Sequence, residues 1–147
     1  MKTINRYCYP IDLRNIKESS YTKSPAHSIS YKNGMYNKAI DFICDEGLFV
    51  IASLDGEIIE VVCNHNVGGN EEKYDMCSNY IEIRHQNDEY SEYEHLMQNS
   101  ALVKVGDKVV TGQNIAKTGA TGWLGYLGPH LHFMVGKYKD NYEDYKH

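Results

Sequence analysis

The chain has 147 residues, 41% of them hydrophobic, and a formal net charge of −5. That length and apolar content suit one domain around one modest core, and an acidic balance with dispersed Lys and Arg argues against a protein that grips nucleic acid by neutralising phosphates. No segment approaches the roughly 20 consecutive apolar residues of a membrane span, and Met1 to Ser20 lacks the continuous apolar run of a secretory signal.

In chain order, Asp12 to Ser19 is a weak helical candidate. The segments Leu48 to Ala52, Glu57 to Cys63, Tyr80 to Arg84, Tyr90 to Leu96, Lys108 to Val110 and His130 to Val135 are short and rich in β-branched or aromatic residues, so they are expected to be strands. Turn signals separate them: Asp55-Gly56, Gly106-Asp107, Thr121-Gly122 and Gly128-Pro129. Asn64 to Ser78 is polar, contains Gly68-Gly69 and is long for a hairpin connection, so it reads as an exposed loop. A single turn is expected within Leu96 to Leu102, and the tail from Lys137 to His147 shows no periodicity. The expectation is a mostly β fold, a single small domain of antiparallel sheet.

Cys8, Cys44, Cys63 and Cys77 include no C-x-x-C pair, so a cysteine-based structural zinc site is not expected, and disulfide pairing is left open. The informative chemistry is in His130-Leu131-His132. Residues i and i+2 of a strand share a face, so both imidazoles are expected in one cleft while Leu131 and Phe133 face a core.

The context of that pair is ordered. Ala39-Ile40-Asp41-Phe42 with Glu46-Gly47 comes first, then Ile81-Glu82-Ile83-Arg84-His85 and Tyr93-Glu94-His95-Leu96. Val105-Gly106-Asp107, Gly112-Gln113-Asn114-Ile115, Thr121-Gly122 and Gly128-Pro129-His130-Leu131-His132-Phe133 follow. This series, from about Tyr36 to Val135, resembles the lysostaphin-type zinc metallopeptidases, which are peptidoglycan endopeptidases with a small β fold (the duplicated hybrid motif) and a metal cleft. The resemblance implies an N-terminal extension over 1–35, a peptidase domain over 36–136 and a tail over 137–147. It implies Zn2+ as cofactor, held at positions 37, 41 and 132, with His95 and His130 as the two cleft histidines that handle protons and stabilise the transition state. It further implies peptidoglycan stem or cross-bridge peptides, or a cell-wall-associated protein, as partners, and a cell-envelope or extracellular setting, although no export signal is visible.

Four positions depart from the family pattern. Asn37 stands where the first zinc-binding histidine belongs, and an amide is a much poorer zinc ligand than an imidazole. Ala39 occupies the glycine position of the curl by which the family brings positions 37 and 41 together; if that position needs positive φ, the alanine is strained or the curl relaxes. Met134 replaces a common glutamate, and the segment Trp123 to Leu127 is longer than usual, with Trp123 and Tyr126 as candidate contacts beside the cleft. Cys44, His27 and His65 are the candidates to replace the missing ligand, whereas His85 reads as a structural strand residue and His147 carries no functional argument. A member that has lost catalysis and acts as a binding or regulatory module is the alternative reading.

Overall fold

The structure is a computed structural model, and it describes residues 3–20 and 35–138. Eleven strands run through the described residues: β1 (Ile16–Ser20), β2 (Met35–Cys44), β3 (Phe49–Ile51), β4 (Gly56–Val62), β5 (Gly68–Gly69), β6 (Tyr80–Arg84), β7 (Tyr90–Glu94), β8 (Lys108–Val109), β9 (Asn114–Lys117), β10 (Gly122–Trp123) and β11 (His130–Tyr138). Seven of them form one sheet in the order β1-β2-β11-β7-β6-β4-β8, and every neighbouring pair in it is antiparallel. Two small sheets, β3 with β9 and β5 with β10, complete the fold.

Strand alternation decides which side chains make the core. Phe42, Ile81, Ile83, Tyr93, Leu131 and Phe133 project to one face of the large sheet and meet Val50, Ile115 and Ala116 from β3 and β9, all buried in one cluster. Burying each large side chain contributes about 1.5–3 kcal/mol, so this face is the main source of stability. Tyr93 carries its hydroxyl into the core, where it accepts hydrogen bonds from Ser53 N at 2.9 Å and Ser91 Oγ at 3.0 Å. The N-terminal stretch is tied on by Glu89, which accepts from Ile4 N at 2.7 Å, Asn5 N at 3.2 Å and the Tyr7 hydroxyl at 3.0 Å. Ile11 enters the core from this stretch.

The other face of the sheet is polar, and its register sets two rows. Tyr80, Glu94, His132 and Asp41 are successive cross-strand partners on β6, β7, β11 and β2. Beside them run Glu60, Glu82, Glu92, Met134 and Ala39.

Two expectations change. Asp12 to Ser19 is not an α-helix: Leu13–Asn15 makes one 3-10 turn capped by the Asp12 side chain, and Ile16 onward is strand β1 paired with β2. The exposed loop Asn64 to Ser78 holds its own structure, because Gly122 N donates to Val67 O at 3.0 Å and Leu124 N to Gly69 O at 2.8 Å, followed by a 3-10 helix over Glu72–Cys77. At position 39 the second alternative holds: β2 pairs with β11 residue for residue from Met35 to Ile43, and Ala39 has no positive φ. An L-residue there favours the extended ladder that glycine would have been free to leave. Among the described residues no helix is long and apolar enough to cross a membrane.

Candidate functional site: a histidine and carboxylate cleft

Three neighbouring strands deliver the candidate residues. β2 brings Asp41, the start of β11 brings His130 and His132, and the end of β7 brings Glu94 and His95. His132 lies between two carboxylates: its Nδ1 donates to Asp41 Oδ1 at 2.8 Å, and its Nε2 stands 3.5 Å from Glu94 Oε2. His130 Nε2 is 3.6 Å from the same Asp41 oxygen. His95 completes the cluster, with its ring centroid 4.6 Å from that of His130 and 5.9 Å from that of His132. Asp41, His95, His130 and His132 are all buried.

Both remaining imidazoles are oriented by backbone carbonyls. His95 Nδ1 lies 2.7 Å from Thr121 O, and His130 Nδ1 lies 2.8 Å from Gly128 O. A carbonyl oxygen only accepts, so each Nδ1 carries the proton and each Nε2 keeps its lone pair. The segment between those carbonyls, 121–128, therefore fastens both rings, and it carries the exposed side chains of Trp123 and Tyr126. Its glycines at 122, 125 and 128 take positive φ. Trp123 is anchored to the loop opposite, its Nε1 donating to Asn70 O at 3.2 Å.

Burial and neighbours set the charges. Burial pushes His95 down to about 3, helped by His130 and His132, and burial also pushes His130 down, so both are neutral at ordinary pH. Burial alone would lower His132 too, but the hydrogen bond to Asp41 and the charges of Glu94 and Asp41 outweigh it and the net direction is upward. Glu94 is raised by burial, with His132 opposing.

Of the expected site residues, Asp41, His95, His130 and His132 are together, and position 37 is not with them. Its backbone pairs with Gly136, four register places from the Asp41–His132 pair, which at ~3.3 Å per residue is ~13 Å away. Cys44, a candidate replacement, lies three residues beyond Asp41 on β2, hence on the opposite face, and is buried in the core. His65 has its backbone N–H and C=O engaged by Asn79. His27 and His147 lie outside the described residues. His85 packs structurally, with Nδ1 donating to Asp55 O at 2.8 Å and Nε2 lying 2.7 Å from Ser91 Oγ.

The donor set can be tested against zinc. Asp41 and His132 suit two of the three protein ligands of a catalytic zinc, and the proton now between them occupies the place a cation would take once Nδ1 is bare. Among the described residues no group of three His, Cys, Asp or Glu is placed to hold a metal. These residues alone therefore do not complete a three-ligand centre.

A β domain whose sheet presents two metal-type donors and two oriented histidines in one cleft has the layout of a zinc peptidase. The sequence agrees: residues 35–144 match the model of peptidase family M23, and the chain belongs to that family. It is 33% identical over 127 residues to the peptidoglycan DD-endopeptidase ShyA of Vibrio cholerae, covering 86% of this chain and 26% of that protein. Among solved structures it is similar to a zinc-containing peptidase from Vibrio cholerae, with TM-score 0.58 and 34% identity over 87% of this chain and 35% of that one. The catalytic domain of lysostaphin from Staphylococcus simulans also matches, with TM-score 0.58 and 28% identity over 86% of this chain and 84% of that one. The chain thus spans about a quarter of the length of full-length relatives such as ShyA.

Sequence reasoning missed Glu94 and the two carbonyls. Glu94 stands beside His95 in the quoted motif, but only the β7–β11 register puts it against His132.

Proposed function

We propose that this domain acts on the peptides of bacterial peptidoglycan, taking an amide bond of a stem or cross-bridge peptide into the histidine cleft for hydrolysis by a metal-activated water. The observation that carries this reading is the convergence of Asp41, His95, His130 and His132 in one buried cluster. Zinc held at Asp41 and His132 would lower the pKa of its bound water towards ~7 and polarise a carbonyl. In this reading Asn37, at the family's first ligand position, would supply the third place through its amide oxygen.

The chain's own groups have definite tasks. His95 and His130 are neutral, with Nδ1 committed to a carbonyl, so Nε2 is the nitrogen through which each would exchange a proton or a hydrogen bond with the reacting groups. Glu94 and Asp41 fix the ring of His132 from its two sides.

The test is zinc affinity by chelator competition together with digestion of purified peptidoglycan. Binding tighter than ~1 μM, abolished in His132→Ala, and new peptide termini released from the polymer are the expected results. Peptidoglycan left intact by the zinc-loaded protein from mildly acid to mildly alkaline pH would overturn the hydrolytic reading.

The amide at position 37, a poor zinc ligand on a strand that pairs regularly with β11, favours a second reading in which the cleft recognises wall peptides or a wall-associated protein without cutting. Retained binding of peptidoglycan peptides with no zinc-dependent turnover would select it.

A further inference from the structure

His95 is held in an uncommon conformation. Its φ is +65°, in the left-handed region that residues other than glycine rarely adopt, a strain that the surroundings must offset. Those surroundings converge on one fully buried residue, Asn79. The next residue, Leu96, has both backbone groups taken by Asn79: Leu96 N donates to Asn79 O at 3.1 Å, and Asn79 Nδ2 donates to Leu96 O at 3.1 Å. Asn79 N donates to Thr121 Oγ1 at 3.1 Å, and that hydroxyl donates to Leu96 O at 2.7 Å. Thr121 is also the residue whose carbonyl accepts from His95 Nδ1. On the other side His95 N donates to Ser78 Oγ at 3.2 Å.

We infer that Asn79 is a positioning residue for His95, fixing its backbone through Leu96 and its tautomer through Thr121, so that Nε2 is the bare nitrogen turned towards His130 and His132. The same amide also closes the loop before it, with Oδ1 accepting from His65 N and Nδ2 donating to His65 O, each at 2.9 Å. Every polar atom of Asn79 is thereby engaged, and the loop over residues 64–78 is linked to the orientation of a cleft histidine. The inference rests on the proposed use of that cleft, but its geometry does not depend on a metal or a substrate.

The experiment reads the His95 tautomer directly, by long-range nitrogen–proton correlation on 15N-labelled protein at one alkaline pH, with His95→Gln to assign the signals. Wild-type His95 is expected as the Nδ1–H form. In Asn79→Ala, and in the near-isosteric Thr121→Val, that form gives way to a mixture, while His130, whose Nδ1 is held by Gly128 O outside this network, keeps its tautomer. If Asn79→Ala does not fold, Thr121→Val decides. An unchanged His95 tautomer accompanied by a lowered melting temperature would overturn the inference and leave Asn79 a loop-closing residue only. Where the wild type cuts peptidoglycan, kcat should fall by at least ~10-fold with KM little changed, inside the ~10²–10⁴ that a positioned acid–base group contributes. An inert wild type would defeat the hydrolytic reading and leave the tautomer result standing.

Discussion

At the scale of single residues, the cleft is governed by what flanks His132. A histidine buried to this degree is ordinarily pushed towards neutrality, yet Asp41 at 2.8 Å and Glu94 at 3.5 Å reverse the direction. Asp41→Asn removes the nearer charge while keeping the shape, so the titration midpoint of His132 is expected to fall, and NMR titration of the imidazole resolves it. A midpoint that does not move would mean that Asp41 is not the group holding the proton on His132. The pair His130 and His132 was legible in the sequence because alternation in a strand needs only adjacent residues. Glu94 and the carbonyls of Thr121 and Gly128 were not, because register and loop course are fixed by contacts between residues far apart in the chain.

At the scale of elements, β2 carries Asp41 and position 37, two of the three ligand places of the proposed zinc centre. Its alternation is weak, so the short-run criterion that found β6 and β7 passed over it, and only the motif around Asp41 marked the segment. Ala39, without positive φ, stays in the ladder with β11, the relaxed course open to an alanine where the family has glycine. Restoring both features tests this directly. Asn37→His with Ala39→Gly should tighten zinc binding by at least ~10–100-fold over wild type, whereas Asn37→His alone should gain much less because the strand remains straight. Equal gains from the single and double variants would show that residue type, not strand course, is the obstacle. The loop over residues 64–78 depends on close approach of β5 to β10. A Cβ at Gly68 would lie 2.0 Å from Ala120 O and 2.9 Å from Gly122 N. Gly68→Ala is therefore expected to part the two strands at a cost of about 1–3 kcal/mol and to speed hydrogen exchange at Gly122 and Leu124. Unchanged exchange at those amides would show that the loop tolerates the separation.

At the scale of the whole molecule, the polar face of the large sheet carries a liability that its composition hides. A net charge of −5 on 147 residues is mild, but three carboxyls, Glu60, Glu82 and Glu92, are cross-strand partners on β4, β6 and β7, where like charges directly opposed are destabilising. Tyr80 donates to Glu60 and Tyr138 donates to Glu82, which relieves part of the repulsion. Burial, opposed by the Tyr138 hydrogen bond and joined by the charges of Glu60 and Glu94, raises Glu82 to about 7, and burial with Glu94, Glu82 and Glu60 raises Glu92 as well. A carboxyl whose folded pKa exceeds its unfolded value of ~4.3 keeps a proton in the native state that the unfolded chain has released. The folded state binds more protons across that interval, so stability is greatest at its acid end and declines as pH rises from about 4.5 to about 7. For Glu82 alone the decline is on the order of 3 kcal/mol. The melting temperature of the wild type is thus expected to drop between mildly acid and mildly alkaline buffer at constant ionic strength. Glu82→Gln, which keeps the shape and cannot ionise, should melt higher than wild type at the alkaline end and show a shallower slope. Parallel profiles for the two proteins would mean that the row of carboxyls is already relaxed by solvent, and that the polar face of the sheet sets the cleft's charge without taxing the fold.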